Sequence, residues 1–234
     1  MKEALERAVR EGPVSLDDRP APELEVSQRD SVEVELSARP EWAEVYRVAG
    51  GYYTSVPTEP ESAYEVDSAI REVLRVEAPI TVDFLTRRIA GLFDTRKTKK
   101  LGRVVEQRLR GVLVDDTWER QGETIFRRNA SWTVRVPIPD YEETVRGLHE
   151  FPPEEVELAL ELLLKDATRA TSDELMNHLR TLFGFGRTGA KMRNIFEMAL
   201  DSLEESGRIL RGDGGEYRSP GHSSESFEQA PTGQ

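Results

Sequence analysis

Apolar residues recur at helical spacing in two separate parts of the chain. Both parts begin with apolar residues at positions i, i+4, i+7 and i+8, which is the pattern of an amphipathic helix. These residues are Val66, Ile70, Val73 and Leu74 in the first part and Val156, Leu160, Leu163 and Leu164 in the second. Pro153, just ahead of the second set, suits the first turn of a helix. The pattern therefore predicts one amphipathic helix at the start of each part.

A second and a third helix are predicted to follow in each part. Thr81 and Thr171 each stand ahead of an apolar stripe, and a hydroxyl in that position is a helix-capping signal. A turn then leads to a third helix, which we expect Thr98 to open in the first part and Thr188 in the second. The stripes of the second helices are Leu85, Ile89 and Leu92, and Leu175, Leu179 and Leu182.

Short strand-like segments follow the third helix in both parts. They flank a turn at 121–122 in the first part and a glycine-rich turn at 212–215 in the second. The predicted strands are 118–120, 124–126, 208–210 and 216–218. Three helices followed by a hairpin is the plan of a winged helix-turn-helix unit. A plain three-helix bundle followed by a loop is the alternative that the pattern leaves open.

The two parts align with each other at an offset of 90 residues, so that 66–109 falls on 156–199 without a gap. The shared residues lie at apolar-periodic positions and at the capping threonines, where two copies of one fold must agree. The same offset places Arg193 on Arg103. We therefore expect a mainly α protein with minor β structure, built from two tandem winged helix-turn-helix-like units with short β-hairpin wings.

The two predicted units are separated by a linker. The first unit spans 66–128 and the second spans 153–218. A linker at 129–152 joins them, with a short strand expected at 132–136.

The two ends of the chain differ from the units in composition. Residues 1–65 hold six of the thirteen prolines and are interpreted as a partly ordered acidic arm, with a short helix at 2–10 and a strand at 31–36. The tail 219–234 is rich in Ser, Glu, Gly and Pro, so we expect it to be disordered.

Charge is unevenly distributed along the chain, whose formal net charge is −12. The arm carries a net −8, the first unit +4 and the second unit −4. An acidic protein does not coat nucleic acid over its whole surface, but it can carry a local cationic face. Such a face is predicted around the third helix of the first unit, because 87–110 holds nine bases and two acids.

This third helix has an apolar face and, opposite it, a mostly cationic face. In a helix-turn-helix unit the third helix lies in the major groove, where cationic and amide side chains contact phosphates and base edges. Arg103 and Gln107 are the candidates for base edges, and residues near the helix start are the candidates for phosphates. The predicted nucleic-acid contacts are Arg96, Lys97, Lys99, Lys100, Arg103, Gln107, Arg110, Arg187, Lys191 and Arg193.

Each cationic set has a plainer interpretation. The set in the first unit could be an ordinary solvated surface of an Arg-rich segment. In the second unit only Arg187, Lys191 and Arg193 remain, and packing or dimerisation is the stronger interpretation there.

Composition argues against several chemistries. The chain has no Cys, and its three His are not at helical ligand spacing, so zinc sites and a Ser-His-Asp triad are poorly supported. The glycines at 184–189 follow a helix and lack a closing Lys-Ser/Thr pair, which favours a turn over a phosphate loop. We therefore predict no catalytic residue, no metal ligand, no cofactor and no small-molecule ligand. Without an apolar leader or membrane span, a cytoplasmic protein is expected.

The run from Ile70 to Ala90 resembles the signature of domain of unknown function family 3320, with Ala78 where that family usually has Gly. The family occurs mainly at the C-termini of large bacterial superfamily I helicase-like proteins, often after a very-short-patch-repair-like nuclease domain. The resemblance implies an accessory role without an active site. It leaves open whether the chain is a separate gene product or the tail of a larger protein.

Together these observations predict a non-enzymatic accessory module that binds nucleic acid, duplex DNA rather than RNA, for a helicase or nuclease subunit. A protein–protein adaptor and a small transcriptional regulator remain as alternatives. The acidic arm is further expected to lie over the Lys99 and Arg103 face and compete with phosphate, because opposite charges attract within about 8 Å at physiological salt. A solubilising leader without that contact is the alternative.

Overall fold

The secondary structure of the chain repeats in one order, which is helix, strand, helix, helix, strand, strand. The computed structural model describes residues 39–114 and 116–220. Its first elements are β1 (Ala43–Val45), α1 (Ala63–Glu77), β2 (Ile80–Thr81), α2 (Val82–Leu92), α3 (Lys99–Val112), β3 (Trp118–Gln121) and β4 (Thr124–Arg127). The remaining elements are β5 (Val134–Val136), α4 (Pro153–Ala167), β6 (Arg169–Thr171), α5 (Ser172–Leu182), α6 (Ala190–Glu205), β7 (Leu210–Arg211) and β8 (Glu216–Arg218). The chain is thus mainly α with minor β structure.

Three predicted segments fall wholly or mostly beyond this range. The helix at 2–10 and the strand at 31–36 lie outside the described residues, as does the tail from residue 221 onward.

Helices α2 and α5 begin where their capping threonines predict. The Thr81 hydroxyl accepts a hydrogen bond from the Phe84 amide at the start of α2, and Thr171 caps α5 in the same way. In α5 the Glu174 carboxylate also accepts from the Thr171 amide, which completes a capping box. The helix starts in this part of the chain are therefore fixed by local sequence.

Each half of the fold has its own three-stranded sheet and its own core. In the first sheet β4 lies between β2 and β3, and in the second β8 lies between β6 and β7, all antiparallel. Both predicted hairpins are present, but the strand expected at 208–210 is found at Leu210–Arg211. The short strands β2 and β6, which the sequence did not predict, complete the two sheets. The apolar stripes of α1, α2 and α3 pack into one core, and those of α4, α5 and α6 into another. The order of elements is the same in both halves.

The gap-free alignment of the two halves is wrong in the third helix. Thr98 caps α3 as predicted, but α6 is preceded by Gly189, not Thr188, so the offset there is 91 residues. The buried residues agree, since Leu101, Val105, Leu109 and Val112 correspond to Met192, Phe196, Leu200 and Leu203. The turn between α5 and α6 therefore holds one residue more than its counterpart, and Arg193 does not occupy the position of Arg103.

A glycine in that turn lies close to the segment that joins the two halves. Gly184 has a φ of +74°, and a Cβ added there would lie 2.9 Å from Cγ of Pro137. A side chain at this position would be both strained and in collision, so glycine is required. The turn is thus shaped by contact with the segment that joins the two halves.

The predicted arm and linker are in part structural. Within the arm, β1 pairs in parallel with β5 of the linker, and Tyr46 and Ala49 are buried in the first core. The expected linker strand is present, though shorter than predicted. The arm boundary at residue 65 therefore differs from the structure, because 43–53 contributes buried side chains and hydrogen bonds. The Pro-rich composition of the arm as a whole conceals this segment, which itself contains no proline.

Buried charged side chains join the two halves. Glu77 of α1 and Glu155 of α4 are both fully buried, and Arg135 of β5 lies between them. The Arg135 guanidinium donates to the Glu77 carbonyl oxygen at 2.6 Å and to a Glu155 carboxylate oxygen at 2.7 Å. Arg146 donates to both Glu155 carboxylate oxygens, at 2.7 and 2.8 Å. The first half, the joining segment and the second half thus share one ionic cluster.

The Glu77 end of this cluster also holds the N-terminal segment in place. Tyr46 donates its hydroxyl proton to Glu77 at 2.9 Å, and the Ala49 amide donates to the other carboxylate oxygen at 2.9 Å. Arg88 of α2 forms an ion pair with the same carboxylate at 2.9 Å. Burial, followed by the neighbouring Glu77 charge, raises the pKa of Tyr46, so its hydroxyl remains a proton donor. Segment 43–53 is therefore anchored by specific hydrogen bonds.

No helix in the described part of the chain combines the length and the apolar character that crossing a membrane requires.

Candidate nucleic-acid interface

The neighbours of α3 determine which of its faces points outward. On one flank, Lys100 and Arg108 form ion pairs with Glu59 and Asp67, from the segment before α1 and from α1 itself. On the other flank, Glu106 is paired with Arg120 of β3 at 2.6 Å. The stripe between these flanks, opposite the buried residues, is Lys99, Arg103, Gln107 and Arg110, and all four are exposed. We call this stripe the α3 outer face.

The cations of the α3 outer face have no acidic partner among the residues that the structure describes. Lys99, Arg103 and Arg110 form no ion pair with any carboxylate in the described ranges, and the same holds for exposed Arg96 just before the helix. The acids near α3 are instead paired to cations on its flanks. The local sequence thus concentrates uncompensated positive charge on the outward side of the helix.

Two other predicted residues are already paired. Lys97 lies 2.5 Å from one carboxylate oxygen of Asp83, and His149 Nε2 lies 3.0 Å from the other. Lys100 is 3.5 Å from Glu59 and 65% exposed, so its pair is loose and solvent-screened. Lys97 is therefore held in a close ion pair, whereas the ion pair of Lys100 is long and open to solvent.

The second half carries a different surface. Arg187 lies in the turn before α6, and Lys191 and Arg193 lie in its first turn, all three exposed. Arg193 is 3.8 Å from Asp173 of α5. With the one-residue shift, the positions that match the α3 outer face are Ala190, Asn194, Met198 and Asp201. The predicted cations of the second half are thus not gathered on the equivalent face.

The hairpin of the first half adds cations that the sequence reasoning missed. Arg127 at the end of β4 is exposed and has no carboxylate partner within the described chain. Arg128 lies 3.7 Å from Asp116 and 3.9 Å from Glu119, and its side chain is half exposed. The signal was the Arg-Arg pair directly after a predicted strand, at the end of the hairpin away from its turn.

One group near α3 has the composition of a metal site. Ligand atoms of Asp83, His149 and Glu150 lie within 4.8 Å of one another. Both carboxylates already have cationic partners, since Lys97 is paired with Asp83, and Arg87 lies 2.7 Å from Glu150. A metal ion would have to displace these partners, so the arrangement favours an ion-pair cluster that ties α2 to the joining segment.

The segment containing α1, β2 and α2 can be compared with known families. Residues 57–101 match the model of the family described as Protein of unknown function (DUF3320). A search of curated proteins gives no match to the chain. The matched residues include the run from Ile70 to Ala90 and end in the first turn of α3, just before Arg103. The match confirms the resemblance to domain of unknown function family 3320 over residues 57–101.

Proposed function

We propose that the chain is a non-enzymatic accessory module that binds duplex DNA through the α3 outer face. The observation that carries this proposal is the set of exposed, unpaired cations on one side of a helix whose other side is buried. The face offers guanidinium, ammonium and amide groups, which recognise phosphates and base edges but supply no nucleophile. The partner class, a helicase or nuclease, rests on the setting that the resemblance to family 3320 implies.

The proposed fold of each half is a winged helix-turn-helix unit. The order helix, strand, helix, helix, strand, strand, with the last strand central in the sheet, supports this proposal. In such a unit the third helix enters the major groove, and the wing lies beside it. The α3 outer face then meets base edges through Arg103 and Gln107, while Lys99 and Arg96 meet the backbone.

A charge-reversal experiment tests this proposal. Changing Lys99, Arg103 and Arg110 to Glu is expected to weaken binding to a short duplex by about a hundredfold or more at low salt, because three attractive interactions with phosphates or bases become repulsive. The slope of log K against log salt should also become shallower by about 0.9 for each phosphate that the protein no longer neutralises. Fluorescence anisotropy at several salt concentrations measures both quantities.

The second half provides a matched control for net charge. Changing Arg187, Lys191 and Arg193 to Glu alters the net charge equally, and we expect no more than about a threefold loss of affinity because these residues do not form one outward stripe. Equal losses from the two triple variants would contradict the proposal. Failure of the unaltered chain to bind duplex at any salt concentration would favour an adaptor.

Truncation tests whether the acidic segment before residue 39 competes with DNA for the α3 outer face. Residues 1–38 carry a net −5, and removing them is expected to tighten duplex binding several-fold at about 50 mM salt, with the gap closing near about 300 mM. The truncation must begin at residue 39, because a deletion to residue 60 would also remove Tyr46 and Ala49 from the core. Identical affinities at every salt concentration would show that this segment does not compete.

A further inference from the structure

The outward face of α6 differs from the α3 outer face in both charge and polarity. Its stripe is Asn194, Met198, Asp201 and Glu205, which are spaced i, i+4, i+7 and i+11 and are all exposed. Met198 is 63% exposed, and the Asn194 side-chain amide lies 3.6 Å from its sulfur. A flexible apolar side chain thus lies on the outside of the helix, at the position that Gln107 holds in α3.

Carboxylates surround Met198 toward the end of the helix. Glu197, Asp201, Glu204 and Glu205 are exposed, and none forms an ion pair with a Lys or Arg of the described chain. The acids of the neighbouring α4 behave differently, since Glu157 and Glu161 are paired with Arg208 at 2.6 and 2.7 Å. Negative charge therefore remains uncompensated on the outward side of α6.

This arrangement is unfavourable for the isolated helix. Glu197, Asp201 and Glu205 form a ladder at i, i+4 and i+8, where like charges repel. Glu204 and Glu205 lie at the C-terminal end of α6, where the helix dipole favours cations. The last turn of α6, like that of α2, holds no base, whereas α1, α3, α4 and α5 each have an Arg or Lys there. A cationic partner would relieve both sources of repulsion.

We propose that the outward face of α6 binds a basic amphipathic helix of a partner protein. Lys or Arg side chains of that helix would pair with Asp201, Glu205 and Glu197, and an apolar residue at its centre would cover Met198, whose thioether adapts to irregular surfaces. The carboxylates repel phosphate, so this face is unsuited to DNA. The two halves then divide the work, because α3 contacts the duplex and α6 contacts a protein.

A synthetic peptide and the full chain test this inference. The probe is a labelled amphipathic helix of about 15 residues made of Lys, Leu and Ala, with the Leu stripe flanked by Lys. Fluorescence anisotropy is expected to give a dissociation constant of about 10 to 100 µM for the unaltered chain at low salt. Changing Asp201 and Glu205 to Lys should weaken binding at least about tenfold, and Met198→Ser about threefold.

Matched controls distinguish peptide binding at this face from a general attraction of the cationic peptide to an acidic protein. Changing Glu41 and Glu142 to Lys makes the same change in net charge at exposed acids elsewhere, and Val114→Ser removes a different exposed apolar side chain. Both controls should bind the peptide within about twofold of the unaltered chain. Equal losses in the control and face variants, or no binding up to about 1 mM peptide, would overturn the inference. Duplex binding by the Asp201 and Glu205 variant should persist, so the two proposals can fail separately.

Discussion

Replacing Glu155 by Gln is expected to lower the free energy of unfolding by about 3 to 5 kcal/mol, the largest effect that we expect from a single substitution. Glu155 is fully buried and accepts hydrogen bonds from both Arg135 and Arg146. Gln retains the size of the side chain but removes its charge, so two buried guanidinium groups lose their counter-ion. Urea unfolding of the full chain, followed by circular dichroism, measures the change.

A neighbouring residue provides the control for this substitution. Glu154 stands beside Glu155 in the first turn of α4 but forms no ion pair within the described part of the chain. Glu154→Gln removes one acid from the same helix end and is expected to cost less than about 1 kcal/mol, mainly through the helix dipole. Similar losses in the two variants would show that the ionic cluster contributes little to stability.

The second large effect is a loss of stability in acid. Burial by itself raises the pKa of Glu155, but the charges and hydrogen bonds of Arg135 and Arg146 outweigh burial and lower the pKa to about 2. Since the ordinary pKa of a Glu side chain is 4.5, the ionised carboxylate stabilises the folded state by about 3 kcal/mol above that pH. The stabilisation is lost as the pH falls from about 4.5 toward 2.

Comparison of the unaltered chain with Glu155→Gln isolates this contribution. The difference between their free energies of unfolding should be constant near neutral pH and smaller by about 2 kcal/mol at pH 3. At that pH the Glu155 carboxyl is protonated in the unfolded chain but still mostly ionised in the folded one, so protonation favours unfolding of the unaltered chain and has no counterpart in the Gln variant. Urea titrations at pH 7, 5, 4 and 3 measure it. Parallel curves for the two proteins would contradict the lowered pKa of Glu155.

Local sequence by itself determined the helices and hairpins of this protein. Apolar spacing and capping threonines are short-range signals, and the backbone satisfies them within a few residues, as Thr81, Thr98 and Thr171 show. The cationic side of α3 was predictable for the same reason, because the faces of a helix follow from its periodicity. The family resemblance lay in this locally determined segment as well.

Tertiary structure alone decided how the two halves differ and how they are joined. The extra residue in the turn before α6 shifts the alignment of α6 with α3 by one position. Arg193, which was predicted to match Arg103, therefore lies elsewhere on the helix. The partners of Glu77 and Glu155 come from segments that look like an arm and a linker, because hydrogen bonds between residues far apart in the chain leave no periodic signal. Burial of those charges could be recognised only once Tyr46, Arg135 and Arg146 were brought together by the fold.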